Sequence, residues 1–292
     1  MMATTEVIDG VEVEHRDILT NGVRLHCALA GPVDGDPVVL LHGFPEYWRG
    51  MVNPLVALAR AGFRVVAPDQ RGYGLSEKPD GIDAYRVEEL AADVIGIISA
   101  LGYDRANVVG HDWGAAVAWW VALTDPERVR RLVIVNVPHP SVFAKTLRSD
   151  RHQQRKSWYI GAFQVPWLPE RLAFGNRMAK VLRRTSTPGA FSDEYVASLQ
   201  REWRRPGAAT SMVNWYRASV RRRPDRLADK RVHVPTLIIW GRQDLALSEA
   251  MLQPSAALCD DVRVEVFPDA THWVLHDEPE RTGELLVTFL SD

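Results

Sequence analysis

The sequence predicts an α/β protein: a mostly parallel, eight-stranded sheet with helices on both faces and a helical segment inserted late in the chain. Short apolar runs alternate with stretches of helical period, the rhythm of strand–helix–strand units. Those runs are apolar at consecutive positions, as strands covered on both faces must be. The rhythm stops over residues 141–230 and then resumes, so both flanks belong to one core. With 292 residues, 46% of them hydrophobic, the chain has ample apolar mass for that core.

Taken in chain order, residues 12–30 predict two antiparallel strands at one edge. PVVLLHG (37–43) and FRVVAPD (63–69) are continuous apolar runs and predict buried parallel strands. Residues 88–101 repeat apolar side chains with a helix period, and NVVGHD (107–112) follows as a strand. LVIVNV (132–137), TLIIW (236–240) and RVEVF (263–267) complete the sheet, and residues 279–290 form a last helix with Pro279 at an early position. Between them, residues 141–230 lack strand runs, are rich in Arg and aromatics, and carry Pro at 166, 169, 188, 206 and 224. The chain thus divides into a first core part (1–140), a helical cap (141–231) and a second core part (232–292).

Charge and cysteine content narrow the function classes. The net charge of −2 argues against nucleic acid as a partner. Residues 141–230 nevertheless hold 19 Lys and Arg against seven Asp and Glu, a local +12 that leaves −14 on the remainder. Such a segment reads as a solvated helical surface, or as a basic lid attracting an anionic substrate or a membrane surface. Cys27 and Cys259 have no spacing typical of a disulfide or metal site, which suits a reducing, cytoplasmic compartment. The first residues lack the basic and apolar regions of a signal peptide. No apolar run reaches the roughly 18 residues that span a bilayer, so no integral membrane segment is expected.

The most informative segment is Gly110-His111-Asp112-Trp113-Gly114, between an apolar strand and a helix of small residues. Gly-x-Ser-x-Gly in that setting is a sharp turn exposing a nucleophile, and here aspartate holds the serine position. The plain alternative is an aspartate that only caps the helix. As a nucleophile, Asp112 has a chemical logic: attack on a saturated carbon leaves an alkyl ester, which activated water can cleave, whereas serine would leave an inert ether.

The oxyanion donors of such a site are the N–H after the nucleophile and one from the loop after an earlier strand. Those are Trp113 and, in His42-Gly43-Phe44-Pro45-Glu46-Tyr47-Trp48, Phe44. Phe44–Pro45 is a candidate cis bond. The base is expected after the last strand, which nominates His272. His276, one helical turn on, is expected to cap a helix or face solvent, and His111 to point away from its neighbour. Asp244, in GRQD past TLIIW, is the acid that would orient His272. Asp269 and Asp277 are weaker candidates. The other possible acid position, after the sixth strand, holds Asn136. Residues 69–76 (DQRGYGLS) read as a structural Gly-rich turn with local bonds from Asp69 and Arg71; the glycine spacing is not that of a phosphate loop.

The elbow leaves epoxide opening and dehalogenation open, and the inserted segment must decide. Tyr159 and Tyr216 could each donate to an alkoxide from an apolar pocket. On composition alone, two such aromatics are more often core. The sequence resembles the epoxide hydrolases of the α/β-hydrolase superfamily over nearly its whole length, through HGFPEYW, GHDWG, Tyr159-x-x-x-Phe163-Gln164, Asn214-Trp215-Tyr216-Arg217, GRQD and the His272-Trp273 pair. The resemblance implies the α/β-hydrolase fold and hydrolysis of a small-molecule epoxide to a vicinal diol. It assigns Asp112 as nucleophile, Asp244 and His272 as acid and base, and both tyrosines to ring opening, with neither metal nor organic cofactor. His42, Pro45, Trp158, Trp215 and Trp273 are assigned to the substrate pocket, and a monomer or homodimer is expected. The elbow is shared with haloalkane and fluoroacetate dehalogenases. In the latter, the position matching Tyr159 is usually a halide-facing tryptophan, so Trp158, one place away, keeps that alternative open. A ligand-sensing protein that retains the fold is the non-enzymatic alternative.

Overall fold

A computed structural model describes residues 4–222, 224–225 and 227–292. Its strands are β1 (Thr4–Ile8), β2 (Val11–Thr20), β3 (Val23–Ala30), β4 (Pro37–Leu41), β5 (Arg64–Pro68), β6 (Ala106–His111), β7 (Val129–Val135), β8 (Thr236–Gly241) and β9 (Val262–Phe267). They form one sheet in the order β1-β2-β3-β5-β4-β6-β7-β8-β9. Its first three neighbouring pairs are antiparallel and the rest parallel. Every position of β4, β5, β6 and β8 is buried, which is why each reads as a mainly apolar run without polar alternation.

The sheet has nine strands, one more than the sequence reading predicts. The addition is β1, a short edge strand exposed at most positions and so without an apolar run. Its hairpin does carry a signal: Asp9-Gly10 joins β1 to β2 with both residues at positive φ, as Asn21-Gly22 joins β2 to β3. Asp-Gly and Asn-Gly are the pairs that two-residue hairpin turns select.

Crossover handedness places the helices. The chain runs from β4 to β5 in one direction along the sheet and from β5 past β4 to β6 in the other. Right-handed connections therefore put the helix Val52–Arg60 on one face and Val87–Ala100 on the opposite one. Val52–Arg60 packs with the C-terminal helix Pro279–Ser291, and Val87–Ala100 with Trp113–Thr124. The reversal lies at β4 and β6, and a crevice opens beyond the carboxyl ends of strands at such a point.

Among the described residues, seven helices, from Pro140–Ser149 to Ala208–Arg221, lie between β7 and β8. Buried side chains tie them to the core loops: Trp203 Nε1 donates to the Pro45 carbonyl at 2.6 Å and Trp215 Nε1 to the Arg71 carbonyl at 3.0 Å. In the 69–76 turn, buried Asp69 accepts from the N–H groups of Trp48 and Leu75, while Arg71 forks onto buried Asp93. Cys27 and Cys259 are buried and unpaired. Among the described residues no helix is long and apolar enough to cross a membrane.

Candidate active site

β6 passes into the helix Trp113–Thr124 through Asp112, whose φ of 50° and ψ of −123° lie where few residues other than glycine are found. The turn is so tight that a Cβ on Gly110 would stand 2.6 Å from the Ala115 backbone, and one on Gly114 would stand 2.1 Å from the Leu41 carbonyl oxygen. The two glycines of the motif are steric necessities. Asp112 makes no side-chain capping bond to its helix. Its Oδ1 instead accepts from the Phe44 N–H at 2.7 Å, and its Oδ2 lies 3.3 Å from His272 Nε2.

The other ring nitrogen of His272 donates to Asp244 Oδ2 at 2.7 Å. That carboxylate is fully engaged: Asn136 Nδ2 donates to the same oxygen at 2.8 Å, and the N–H groups of Ala246 and Leu247 reach the other at 2.6 and 2.8 Å. Asn136, itself at φ 56°, also accepts from the Gly241 N–H and so fixes the loop carrying Asp244. Burial disfavours an imidazolium at His272, but Asp244 and Asp112 outweigh it and lift its pKa to about 10. Burial likewise opposes both carboxylates, yet the facing histidine holds each below its ordinary value.

The Phe44 N–H is in place through a loop with no room for side chains beneath it: a Cβ on Gly43 would meet the Asp112 Cβ at 2.3 Å. Phe44–Pro45 is cis. The Trp113 N–H follows Asp112 directly, but among the described residues it makes no bond to that carboxylate.

Tyr159 and Tyr216 stand in one aromatic cluster with Phe44, Trp113, Phe163 and Phe174. Their rings are 5.9 Å apart, and Tyr216 lies edge-on to Phe44 at 5.2 Å and Trp113 at 5.0 Å. Burial first, and the Asp112 charge second, raise both phenol pKa values, so both keep their protons. Among the described residues neither hydroxyl donates to a protein acceptor.

Several pocket assignments need correction. Trp158 is 71% exposed and does not line the site. Consecutive helical residues point about 100° apart, so the turn that aims Tyr159 inward carries Trp158 outward, and Tyr159 takes the inward place. His42 is fully buried beneath the loop, with Nε2 accepting from the Gln70 N–H and its ring against Tyr73; it is a prop and not a wall. Trp215 likewise backs Trp113 from behind, at 5.8 Å, and Pro45 is buried under Trp203. Trp273 packs edge-on to His272 at 5.2 Å while its Nε1 donates to Thr185, joining the base loop to the inserted helices.

His276 departs from its expected solvent-facing or capping role. Its side chain is only 7% exposed, and its Nε2 bonds Glu46 Oε1 at 2.7 Å. Glu46, which the sequence reading passed over, is a buried carboxylate that also accepts from Tyr195 at 2.6 Å. A buried charge needs such partners, and the one acidic residue of HGFPEYW was the available signal. Burial pushes the Glu46 pKa up, but His276 and its neighbours more than offset this and it lies low. His111 turns away from the Asp112 carboxylate to bond the His272 carbonyl at 2.8 Å, and burial with the nearby His272 charge pushes its pKa down to about 4. Asp277 is occupied by Thr187 and Thr271 and is not an acid for His272.

A strained strand-to-helix turn bearing Asp112, a histidine between two carboxylates and a loop N–H on Asp112, at the switch point of such a sheet, form the arrangement typical of α/β hydrolases. The profile of the alpha/beta hydrolase fold matches residues 36–279. The AB hydrolase superfamily protein YfhM of Bacillus subtilis is 41% identical over 290 residues, covering 98% of this chain and all of that protein. Epoxide hydrolase 2 of Caenorhabditis elegans is 32% identical, covering 95% of this chain and 80% of its own. The crystal structure of Bacillus megaterium epoxide hydrolase in complex with an inhibitor superposes with a TM-score of 0.86 at 30% identity, covering 95% of this chain and all of that one. The chain belongs to the α/β-hydrolase fold superfamily and, within it, to the epoxide hydrolase family.

Proposed function

We propose that the protein hydrolyses a small-molecule epoxide to a vicinal diol through an ester on Asp112. The Asp112 carboxylate attacks one ring carbon, the carbon–oxygen bond breaks, and the electron pair moves to the ring oxygen. Tyr159 and Tyr216 donate to that oxygen. Esterification removes one of the two anions that raise the His272 pKa, so the imidazolium gives up a proton, which balances the alkoxide. Neutral His272, held by Asp244, then takes a proton from water as the hydroxide attacks the ester carbonyl. The N–H groups of Phe44 and Trp113 would stabilise the resulting oxyanion, a role that the Phe44 bond to Asp112 Oδ1 supports. Collapse frees the diol and restores the Asp112 carboxylate and the His272 imidazolium.

The observation that carries this assignment is the pair of protonated phenols with no protein acceptor, in one aromatic cluster above Asp112. Halide release is disfavoured because the indole that could have served a halide, Trp158, faces outward. The same assignment makes the partner a small molecule and not nucleic acid, acted on by a monomer or homodimer. It also suits a cytoplasmic setting in which Cys27 and Cys259 stay reduced.

Styrene oxide, fluoroacetate and a chloroalkane, offered in parallel, separate the chemistries. Diol from the epoxide and no halide from the others is the expected result. Tyr159→Phe combined with Tyr216→Phe is expected to lower diol formation by at least about 10²-fold, the lower range of general acid catalysis. Diol formation unaffected by the double substitution would remove the tyrosines from the mechanism.

A further inference from the structure

The segment from Trp158 to Leu172 has two unlike sides. Its inner side supplies Tyr159, Ile160 and Phe163 to the aromatic cluster over Asp112. Its outer side exposes Trp158, Val165, Trp167, Leu168 and Leu172 within fifteen residues, with Trp167 62% exposed. The backbone holds Trp167 at φ 52°, a left-handed conformation that is strained for a bulky side chain, at the head of the helix Leu168–Leu172. A large indole kept in solvent at a strained position has no folding reason within the chain.

Cations surround these apolar groups. Arg171 lies over the Trp167 ring at 5.4 Å, Arg177 reaches the Leu172 carbonyl, and Arg221 bonds Gln164. Among the described residues none of these three, nor Arg155, has a carboxylate within salt-bridge distance. The inserted segment as a whole carries +12 while the rest of the chain carries −14, a separation of charge that favours approach of an anionic surface to the inserted helices. Exposed indoles and leucines set among unpaired arginines match the chemistry of an anionic lipid interface, where aromatics sit at headgroup level and basic side chains meet the surface charge.

We propose that the outer face of residues 158–172 docks the protein on an anionic lipid surface. Docked this way, the wall of the site itself meets the bilayer, so an apolar substrate could pass from the acyl chains to the pocket through a short dry path. The identity of that substrate rests on the epoxide assignment; the docking does not, and its test involves no turnover.

The full chain is sedimented with vesicles of phosphatidylcholine alone or mixed with phosphatidylglycerol. Binding to the mixed vesicles at low salt, weak binding to the neutral ones, and release by added salt are expected. Trp167→Ser with Leu172→Ser is expected to weaken vesicle binding about tenfold or more, through lost apolar insertion, and Arg171→Glu with Arg177→Glu to do the same by reversing charge. Unchanged far-ultraviolet circular dichroism and thermal transition establish that the variants fold. Absence of binding to the mixed vesicles overturns the proposal. So does equal binding by the Trp167/Leu172 variant, which would mark charge attraction without insertion. A wild-type dimer in sedimentation velocity that this variant converts to monomer would assign the face to a second copy of the chain and overturn it as well.

Discussion

At the scale of single residues, the proposed chemistry turns on one imidazole between two carboxylates. Asp244 accepts four hydrogen bonds and is held; Asp112 is held by one N–H and by His272, which suits the nucleophilic role proposed for it. Asp244→Asn keeps the shape but removes the charge that sustains the imidazolium and fixes its tautomer. In the proposed mechanism the ester-cleaving step depends on His272 as base more than the alkylating step does, so the ester should accumulate in this variant. Turnover is expected to fall by about 10³–10⁴-fold, as when a triad aspartate is made neutral, and intact-protein mass spectrometry after mixing with substrate should find the adduct on Asp112. The same electrostatics act on stability. The His272 pKa is raised from 6.5 to about 10, so its charged form stabilises the fold fully below pH 6.5, and the contribution is lost as pH rises through about 10. Asp112→Asn removes one of the two anions responsible. Denaturant unfolding at pH 7 and pH 10 should therefore show a smaller loss of stability across that interval in the variant than in the wild type.

At the scale of elements, the elbow is a steric device before it is a catalytic one. The Leu41 carbonyl oxygen would be 2.1 Å from a Cβ on Gly114, and neither that strand backbone, buried at every position, nor the helix start that carries the glycine can easily give way. Gly114→Ala is expected to destabilise the protein by about 1–3 kcal/mol, the usual cost of overpacking. It should also lower activity, because β4 carries the Phe44 loop; urea unfolding and turnover read the two effects separately. Gly110, Asp112 and Gly114 were legible in the sequence because a strained turn admits few residue types, and β4, β5, β6 and β8 because strands buried on both faces are apolar along most of their length, with polar residues only near their ends. β1 was not, since an edge strand makes no such demand and only Asp9-Gly10 marks it. Glu46 and His276 escaped notice for a different reason: 230 residues separate them, and nothing local in either segment shows that burial will make each the other's partner. Trp158 and Tyr159 could not be sorted from sequence either, because which of two adjacent aromatics faces inward depends on where a five-residue helix begins.

At the scale of the whole molecule, the question is whether the inserted helices form a lid with a stability of its own. The interface argues against it. Trp203 and Trp215 donate to core carbonyls from full burial, Tyr195 satisfies a core carboxylate, and Trp273 of the core donates back to Thr185. Swinging the inserted segment clear would leave Glu46 with one donor fewer and two indole N–H groups without acceptors, each at a cost of about 1–3 kcal/mol unless water replaced the partner. Of the two flanks, moreover, neither can close the sheet alone: β8 pairs with β7 across the insertion, so the core is complete only when the chain on both sides of it is folded. The segment and the core should therefore melt together. Urea unfolding followed by tryptophan fluorescence, to which Trp203 and Trp215 of the inserted helices contribute, and by far-ultraviolet circular dichroism, which reports sheet and helix throughout, should give coincident single transitions. Two separated transitions, seen by either probe, would show instead that the inserted helices unfold by themselves, and would point to substrate access by detachment of that segment and not by local movement of the aromatic wall over Asp112.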